Sequence, residues 1–95
     1  MNRNEDILMR LETVSSKITD LLLSGQGPEA ARHVNEQRSY VESLSLKELS
    51  LDQRMRVRRL FIQIQSQQEV FKILFTITSD VITSSLLPNQ YTMLG

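Results

Sequence analysis

The chain lacks cysteine and tryptophan, and it has only one histidine and three phenylalanines among its 95 residues. Without cysteine it has no disulfide, no thiolate metal ligand and no cysteine nucleophile, which is compatible with a reducing cytoplasm. Eleven basic and eleven acidic side chains give a formal net charge of zero. Because a neutral chain has no overall field to attract nucleic acid, an anionic membrane or an acidic substrate, its composition favours none of these partners.

Glycine and proline are also scarce, and their positions divide the chain into helices. Gly25 and the pair Gly27-Pro28 separate the first two helices, and Pro88 ends the last one. Periodicity and these breaks predict one all-α domain over residues 1–95, with helices at about 5–24, 28–43 and 50–87 and a tail at 88–95. Since the first connection is so short, we expect an antiparallel hairpin, which the long third helix completes as an antiparallel three-helix bundle.

The first two helices carry heptad seams that predict their buried sides. In the second helix, Gln37 lies on the seam and is interpreted as a rim residue with a solvated amide. Asn4 is predicted to cap the first helix. The seam residues are Ile7, Leu11, Val14, Ile18 and Leu21, with Leu8 and Leu22 beside them, and then Ala30, Val34, Gln37, Val41 and Leu44.

The connection to the third helix contains two capping boxes, a serine followed three residues later by Glu or Gln. Ser45 pairs with Glu48, and Ser50 pairs with Gln53. These boxes predict a short helical turn at 45–49 and the start of the third helix at Ser50.

The third helix has apolar residues on two sides and, over residues 51–87, would be about 55 Å long. The predicted core side comprises Val57, Leu60, Phe61, Ile64, Phe71, Phe75 and Ile82, and the other side comprises Met55, Ile62, Val70, Ile73 and Ile77. In so small a chain the second side is expected to meet another molecule, although wrapping by its own neighbours is an alternative. Residues 71–83 also alternate as a strand would, which is the weaker alternative to a helix.

Two testable assignments follow from this helix phase. The residues predicted to be buried within one chain are Leu11, Ile18, Val41, Phe61 and Ile64. The residues predicted to bind a partner are Ile62, Val70, Ile73, Ile77 and Val81, which would receive an amphipathic segment of a client protein.

The side chains that carry chemistry do not form a recognisable site. His33 has no second histidine or cysteine to form a metal set, so it is interpreted as a surface or partly packed residue. Arg54, Arg56, Arg58 and Arg59 point in different directions on a helix, and they are interpreted as a solvated face, with partner contact or nucleic-acid binding as alternatives. We therefore predict no enzyme activity, no metal, no cofactor and no nucleic-acid partner.

The sequence predicts neither a secretory leader nor a membrane span. Its first residues, MNRNEDILMRLE, have no apolar core of the kind that a signal peptide needs. The apolar run at 70–87 contains Lys72 and Asp80 as well as many Ser and Thr residues, so it is a poor membrane span. These features predict a cytoplasmic protein.

Three stretches resemble the small FliT-type flagellar export chaperones. The first helix ends in Ile18-Thr-Asp-Leu-Leu-Leu-Ser-Gly25, the second carries Asn35-Glu-Gln-Arg38 and Tyr40-Val-Glu-Ser-Leu44, and a long amphipathic helix follows. The resemblance implies a cytoplasmic, non-enzymatic chaperone that holds an export client, typically the filament-cap protein, through the client's C-terminal segment. It also implies binding of export-apparatus components or a transcriptional regulator in some members.

The chain departs from longer members of that family at its C-terminus. Those members carry a further regulatory helix, whereas only seven residues follow Pro88 here, which puts autoinhibition by a fourth helix in doubt. The rival interpretation is a homodimeric helical scaffold or regulatory protein, in which the second side of the long helix pairs with its own copy.

Overall fold

The computed structural model describes the backbone of residues 3–86 and the side chains of residues 3–76. The elements within that range are helical: α1 (Arg3–Leu23), α2 (Gly27–Ala31), α3 (Val34–Ser43), a 3-10 turn (Leu46–Glu48) and α4 (Leu51–Leu86). The predicted all-α class is therefore confirmed. The strand alternative for residues 71–83 is wrong, because α4 continues through them. The predicted tail at 88–95 lies outside the described residues.

α1 ends as its sequence predicts, at a glycine with a left-handed backbone. Gly25 has a φ of 74°, a conformation that favours glycine because it has no Cβ. Its N–H donates to the carbonyl of Leu22 at 3.1 Å, and the N–H of Gln26 donates to the carbonyl of Leu21 at 2.8 Å. These two bonds form a Schellman motif, which satisfies the last carbonyls of α1 and turns the chain toward α2.

The helix predicted at 28–43 is divided in two, which corrects the sequence prediction. α2 ends at Ala31 and α3 begins at Val34. Between them the N–H groups of Arg32 and His33 donate to the carbonyls three residues earlier, at 3.2 and 3.1 Å. This tighter turn interrupts the regular i to i−4 pattern of an α-helix.

α1 supplies the largest part of the core, because α3 and α4 both pack against it. Leu8, Leu11 and Ile18 are fully buried, as the heptad seam predicts. Leu21 and Leu22 are half-buried at the hairpin end. The other buried apolar residues are Ile7, Val14, Ala30, Leu44, Leu49, Val57 and Leu60.

The buried side of α4 is rotated from the predicted one, and the prediction that Phe61 is buried is wrong. Phe61 is 40% exposed and Phe75 is largely exposed. Val41 and Ile64, also predicted to be buried, are only partly so. The inner face of α4, defined as the side toward the core, instead repeats at steps of four and three through Gln53, Val57, Leu60, Ile64, Gln67 and Phe71.

The rotation brings Gln67 of α4 to a core position, where it meets Gln37 of α3. Gln67 is buried and donates to the carbonyl of Ser15 and to Thr19 Oγ1, both at 2.8 Å. Gln37 donates to Gln67 Oε1 at 2.9 Å and to Ser15 Oγ at 3.0 Å. Gln37 is thus a buried member of a hydrogen-bonded layer that joins α1, α3 and α4, which corrects its interpretation as a solvated rim residue. Since its partners satisfy the amide, Gln37 occupies an otherwise apolar seam without a large penalty.

Asn4, which is 41 residues away in sequence, anchors the connection before α4 by direct hydrogen bonds. The Asn4 side chain accepts from the N–H of Ser45 at 2.9 Å and donates to its carbonyl at 3.1 Å. Asn4 lies within α1 rather than before it, so the predicted cap at Asn4 is wrong. The Ser45 side chain makes no cap hydrogen bond either, whereas the second box is confirmed, with reciprocal bonds between Ser50 and Gln53 of 3.0 and 3.2 Å.

Arg56 joins α4 to α1, which corrects the prediction that all four arginines form a solvated face. Its guanidinium donates to Glu5 at 2.7 Å and to Glu12 at 2.6 and 3.2 Å, and its side chain is only 17% exposed. The hydrogen bonds that Arg56 donates to Glu12 and Glu5 raise the pKa of Arg56. The hydrogen bond from Arg56 lowers the pKa of Glu5. Arg54, Arg58 and Arg59 are exposed, as predicted.

Candidate functional site

The candidate site is the outer face of α4, defined here as the side of that helix turned away from α1. Its side chains lie three, four or seven residues apart along the helix, and all of them are exposed: Leu51, Met55, Arg58, Ile62, Glu69 and Ile73. Ile62 is 59% exposed and Ile73 is 56% exposed. Four apolar side chains therefore remain in solvent on one side of the longest helix.

The structure places the predicted partner-binding residues in two groups. The side chains of Ile62, Val70 and Ile73 lie on the surface of α4 and outside the core. Ile77 and Val81 belong to the helical backbone of α4, but their side chains lie outside the described residues. The surface position of the first group meets the condition that a partner-binding residue must satisfy, while partner binding itself stays a prediction.

Charged residues on the outer face differ from Arg56 in their contacts. Arg56 is held by two carboxylates of α1. Within the described residues, Arg58, Arg59 and Glu69 form no ion pair. A charge that has no partner in its own chain is available to one from another molecule.

α4 extends past the end of the hairpin. A side chain at Gly27 would contact the Leu74 methyl at 3.4 Å, so Leu74 lies against the start of α2. Phe75 is the next residue and is largely exposed, although it lies on the same side of α4 as Phe71. Phe75 is exposed because the hairpin no longer covers α4 at this point, and the helix continues to Leu86.

Besides the outer face of α4, the surface has an open groove of about 450 Å³ between α1 and α3. It is lined by Met9, Val14 and Tyr40 and by several charged side chains. Arg10 Nε lies 3.2 Å from Asp6 Oδ2, and Tyr40 donates to Glu36 at 3.0 Å. His33, which is partly packed as predicted, also lines it, and its buried Nε2 has no partner among the described residues. Because most polar groups here pair with one another, the groove offers fewer unpaired charges than the outer face of α4.

Neither a metal site nor a membrane span is found in the described part of the chain. In residues 3–76 no group of three or more His, Cys, Asp or Glu side chains is placed to hold a metal ion. No described helix is both long and apolar enough to cross a membrane.

Sequence reasoning missed part of the candidate site. Leu51 is an exposed apolar residue that was not assigned to it, and Arg58 and Glu69 are charged residues of the same face. The signal for Arg58 and Glu69 was available, because both fall on the helix side of Met55, Ile62 and Ile73 at 100° per residue. The signal for the exposure of Phe75 was the length of the third helix, because a helix of 36 residues extends past a first helix of 21 residues.

Comparison with known proteins gives this site no precedent. The chain matches no family model. It matches no curated protein and no solved structure either.

Proposed function

We propose that this protein is a small, non-enzymatic cytoplasmic chaperone that holds a protein client on α4, as the resemblance to FliT-type flagellar export chaperones implies. The single observation that carries the proposal is the exposed apolar outer face of α4, where Ile62 and Ile73 are more than half exposed. Apolar side chains that recur on one side of a helix are suited to receiving an amphipathic segment of another chain.

The proposal also requires a rigid support for that face, and we infer that the helices form an antiparallel three-helix bundle. Asn4 at the start of α1 bonds to Ser45 just after α3, which supports opposite directions for these helices. Glu5 contacts Arg56 and Thr19 contacts Gln67, which supports the same direction for α1 and α4. The inner face of α4 is then anchored along its length, and the outer face is presented without a role in the fold.

The client suggested by the resemblance is a flagellar filament-cap protein, which would bind through its C-terminal segment. A synthetic peptide of that segment, taken from the filament-cap protein of the same organism, is the direct probe. Calorimetric titration of the peptide should give saturable binding to the unaltered chain. The double variant Ile62→Ser/Ile73→Ser should bind it more weakly by several kcal/mol, since both residues would be interface anchors.

A matched control is available on another part of the surface. Leu46, in the 3-10 turn, is 58% exposed, almost the same as Ile62 and Ile73. Leu46→Ser should leave peptide binding unchanged, and circular dichroism should show native helix content in both variants. If the double variant folds and binds the peptide as tightly as the unaltered chain, the client site is not the outer face. If no filament-cap peptide binds at all, the assignment to export of that client is wrong.

A further inference from the structure

We propose that the outer face of α4 pairs with the outer face of α4 in a second copy of this chain, and that the two helices run antiparallel. The homodimer considered from sequence had no assigned geometry, whereas the exposed residues of α4 specify one. The inference depends on the charge and apolar pattern of α4 and not on the identity of a client, so it can fail while the proposed function stands.

Two pairs of exposed residues on this side of α4 are placed symmetrically about position 64. Met55 and Ile73 lie nine residues on either side of that position. Ile62 and Ser66 lie two residues on either side. In an antiparallel pair centred there, Met55 of each copy would meet Ile73 of the other, and Ile62 would pack beside the small Ser66 of the other. A surface that matches itself after a two-fold rotation is what an isologous dimer requires.

The charges of the same face are complementary in this register. Arg58 lies six residues before position 64 and Glu69 five residues after it. Because eleven residues make slightly more than three full turns, the two side chains lie on the same edge of the face, about 20° apart. A two-fold axis perpendicular to the helices brings each edge against the same edge of the partner. Arg58 of each copy would therefore meet Glu69 of the other, forming two intermolecular ion pairs.

The same charges argue against a parallel dimer. In a parallel pair without a shift, the two-fold axis runs along the helices and brings each edge of the face against the opposite edge of the partner, so neither ion pair between Arg58 and Glu69 would form. That arrangement lacks the electrostatic complementarity of the antiparallel pair. Neither side chain has an ion-pair partner within the described residues of its own chain, so pairing with the second copy breaks no existing ion pair.

Dimerisation would also regulate access to the proposed client site. Ile62 and Ile73 would be covered in the dimer and exposed in the monomer. A client that binds these residues would compete with the second copy, so its apparent affinity should fall as the protein concentration rises.

Disulfide trapping in the full chain tests the orientation directly, because the chain contains no cysteine of its own. Two single variants, Met55→Cys and Ile73→Cys, are prepared and oxidised separately and then as an equimolar mixture. The mixture should give a covalent heterodimer, while each variant alone should give little crosslinked product. The proposal would be overturned if each variant crosslinked efficiently with itself. It would also be overturned if no sample crosslinked at protein concentrations well above those used for sedimentation and peptide binding.

Charge reversal gives an independent test by sedimentation equilibrium. Arg58→Glu and Glu69→Arg should each weaken the homodimer by about tenfold or more, since each places like charges together twice. An equimolar mixture of the two variants should recover a dimer, because every pair then joins opposite charges. Arg54→Glu changes the same charge off the outer face and should leave the dimer intact. If Arg54→Glu weakens the dimer as much as Arg58→Glu, or the mixture fails to recover it, the proposed register is wrong.

Discussion

The two faces of α4 are similar in apolar content but differ in what covers them. The inner face places Val57 and Leu60 against α1 and ends in the half-buried Phe71. The outer face carries Met55, Ile62 and Ile73, and each of them is more than half exposed. The inner face also includes two buried glutamines, whereas the outer face includes an arginine and a glutamate that form no ion pair within the described residues.

This difference shows that hydrophobicity alone does not identify the core of so small a protein. Leu60 and Ile62 are two residues apart and equally apolar, yet only Leu60 is buried. Gln67 is polar and is buried because two hydrogen-bonding side chains and a backbone carbonyl surround it. A side chain is buried where a neighbouring helix can reach it, and a face that no helix reaches remains available to another molecule.

The largest expected effect contrasts Leu60 with Ile62. Leu60→Ala should lower the free energy of unfolding by about 2–5 kcal/mol, because it leaves a cavity between α4 and α1. Ile62→Ala should change it by less than about 1 kcal/mol, because its side chain is already in solvent. Urea denaturation followed by circular dichroism measures both. Equal losses of unfolding free energy in the two variants would contradict the assignment of Leu60 to the core and Ile62 to the surface.

Two glutamines provide the same contrast without changing apolar volume. Gln67→Ala should cost about 1–3 kcal/mol, since it removes the partner of Gln37 and leaves buried groups of α1 unsatisfied. Gln65 is exposed two residues away. Gln65→Ala should stay within about 0.5 kcal/mol. Thermal unfolding of both variants checks the difference, and a Gln67→Ala variant as stable as the unaltered chain would show that the polar layer does not stabilise the fold.

Arg56 and Arg59 allow the same comparison of a partly buried and an exposed position for charged residues. Arg56→Gln should destabilise by about 1–2 kcal/mol, because it removes the charged hydrogen bonds to Glu5 and Glu12 at a partly buried position. Arg59→Gln should stay within about 0.5 kcal/mol, since an exposed arginine without an ion pair contributes little. The denaturant midpoints of the two variants measure this difference. An equal loss of stability in both would mean that the burial of Arg56 does not make it more important to the fold than the exposed Arg59.

The smallest expected effect is on the pH dependence of stability. Arg56 lowers the pKa of Glu5, so the folded state holds this carboxylate ionised more strongly than the unfolded state does. The resulting stabilisation is present above the unfolded pKa, about 4.3, and is lost as the pH falls through the lower folded value. Stability of the unaltered chain should therefore fall more steeply in this acidic window than that of Arg56→Gln. Parallel curves of unfolding free energy against pH would contradict the assignment.

The sequence was sufficient for the approximate bounds of α1 and α4 and for most of the α1 core, but not for the break between α2 and α3. Apolar heptad positions such as Leu11 and Ile18 are buried as predicted, and Gly25 ends α1 as its backbone freedom suggests. The buried side of α4 could not be predicted in the same way. Counting only apolar residues shifts the predicted buried side toward Phe61 and away from Gln67. The ion pairs of Arg56 could not be predicted either, since they join residues more than forty positions apart.

The candidate site was predicted in part. Ile62, Val70 and Ile73 are exposed on α4, which agrees with their assignment to a surface rather than to the core. The pairing of Arg58 with Glu69 of a second copy depends on knowing which charges are already paired within one chain, and only the structure supplies that information.

The most direct test of the difference between the faces is the unfolding free energy of Ile62→Ser/Ile73→Ser, measured by urea denaturation at a concentration where the chain is monomeric. If the outer face has no role in the monomer fold, the double variant should lie within about 1 kcal/mol of the unaltered chain. Leu60→Ser, measured beside it, should show the large loss of a core substitution. A loss of about 3 kcal/mol or more in the double variant would show that Ile62 and Ile73 are core residues of one chain and would contradict the account.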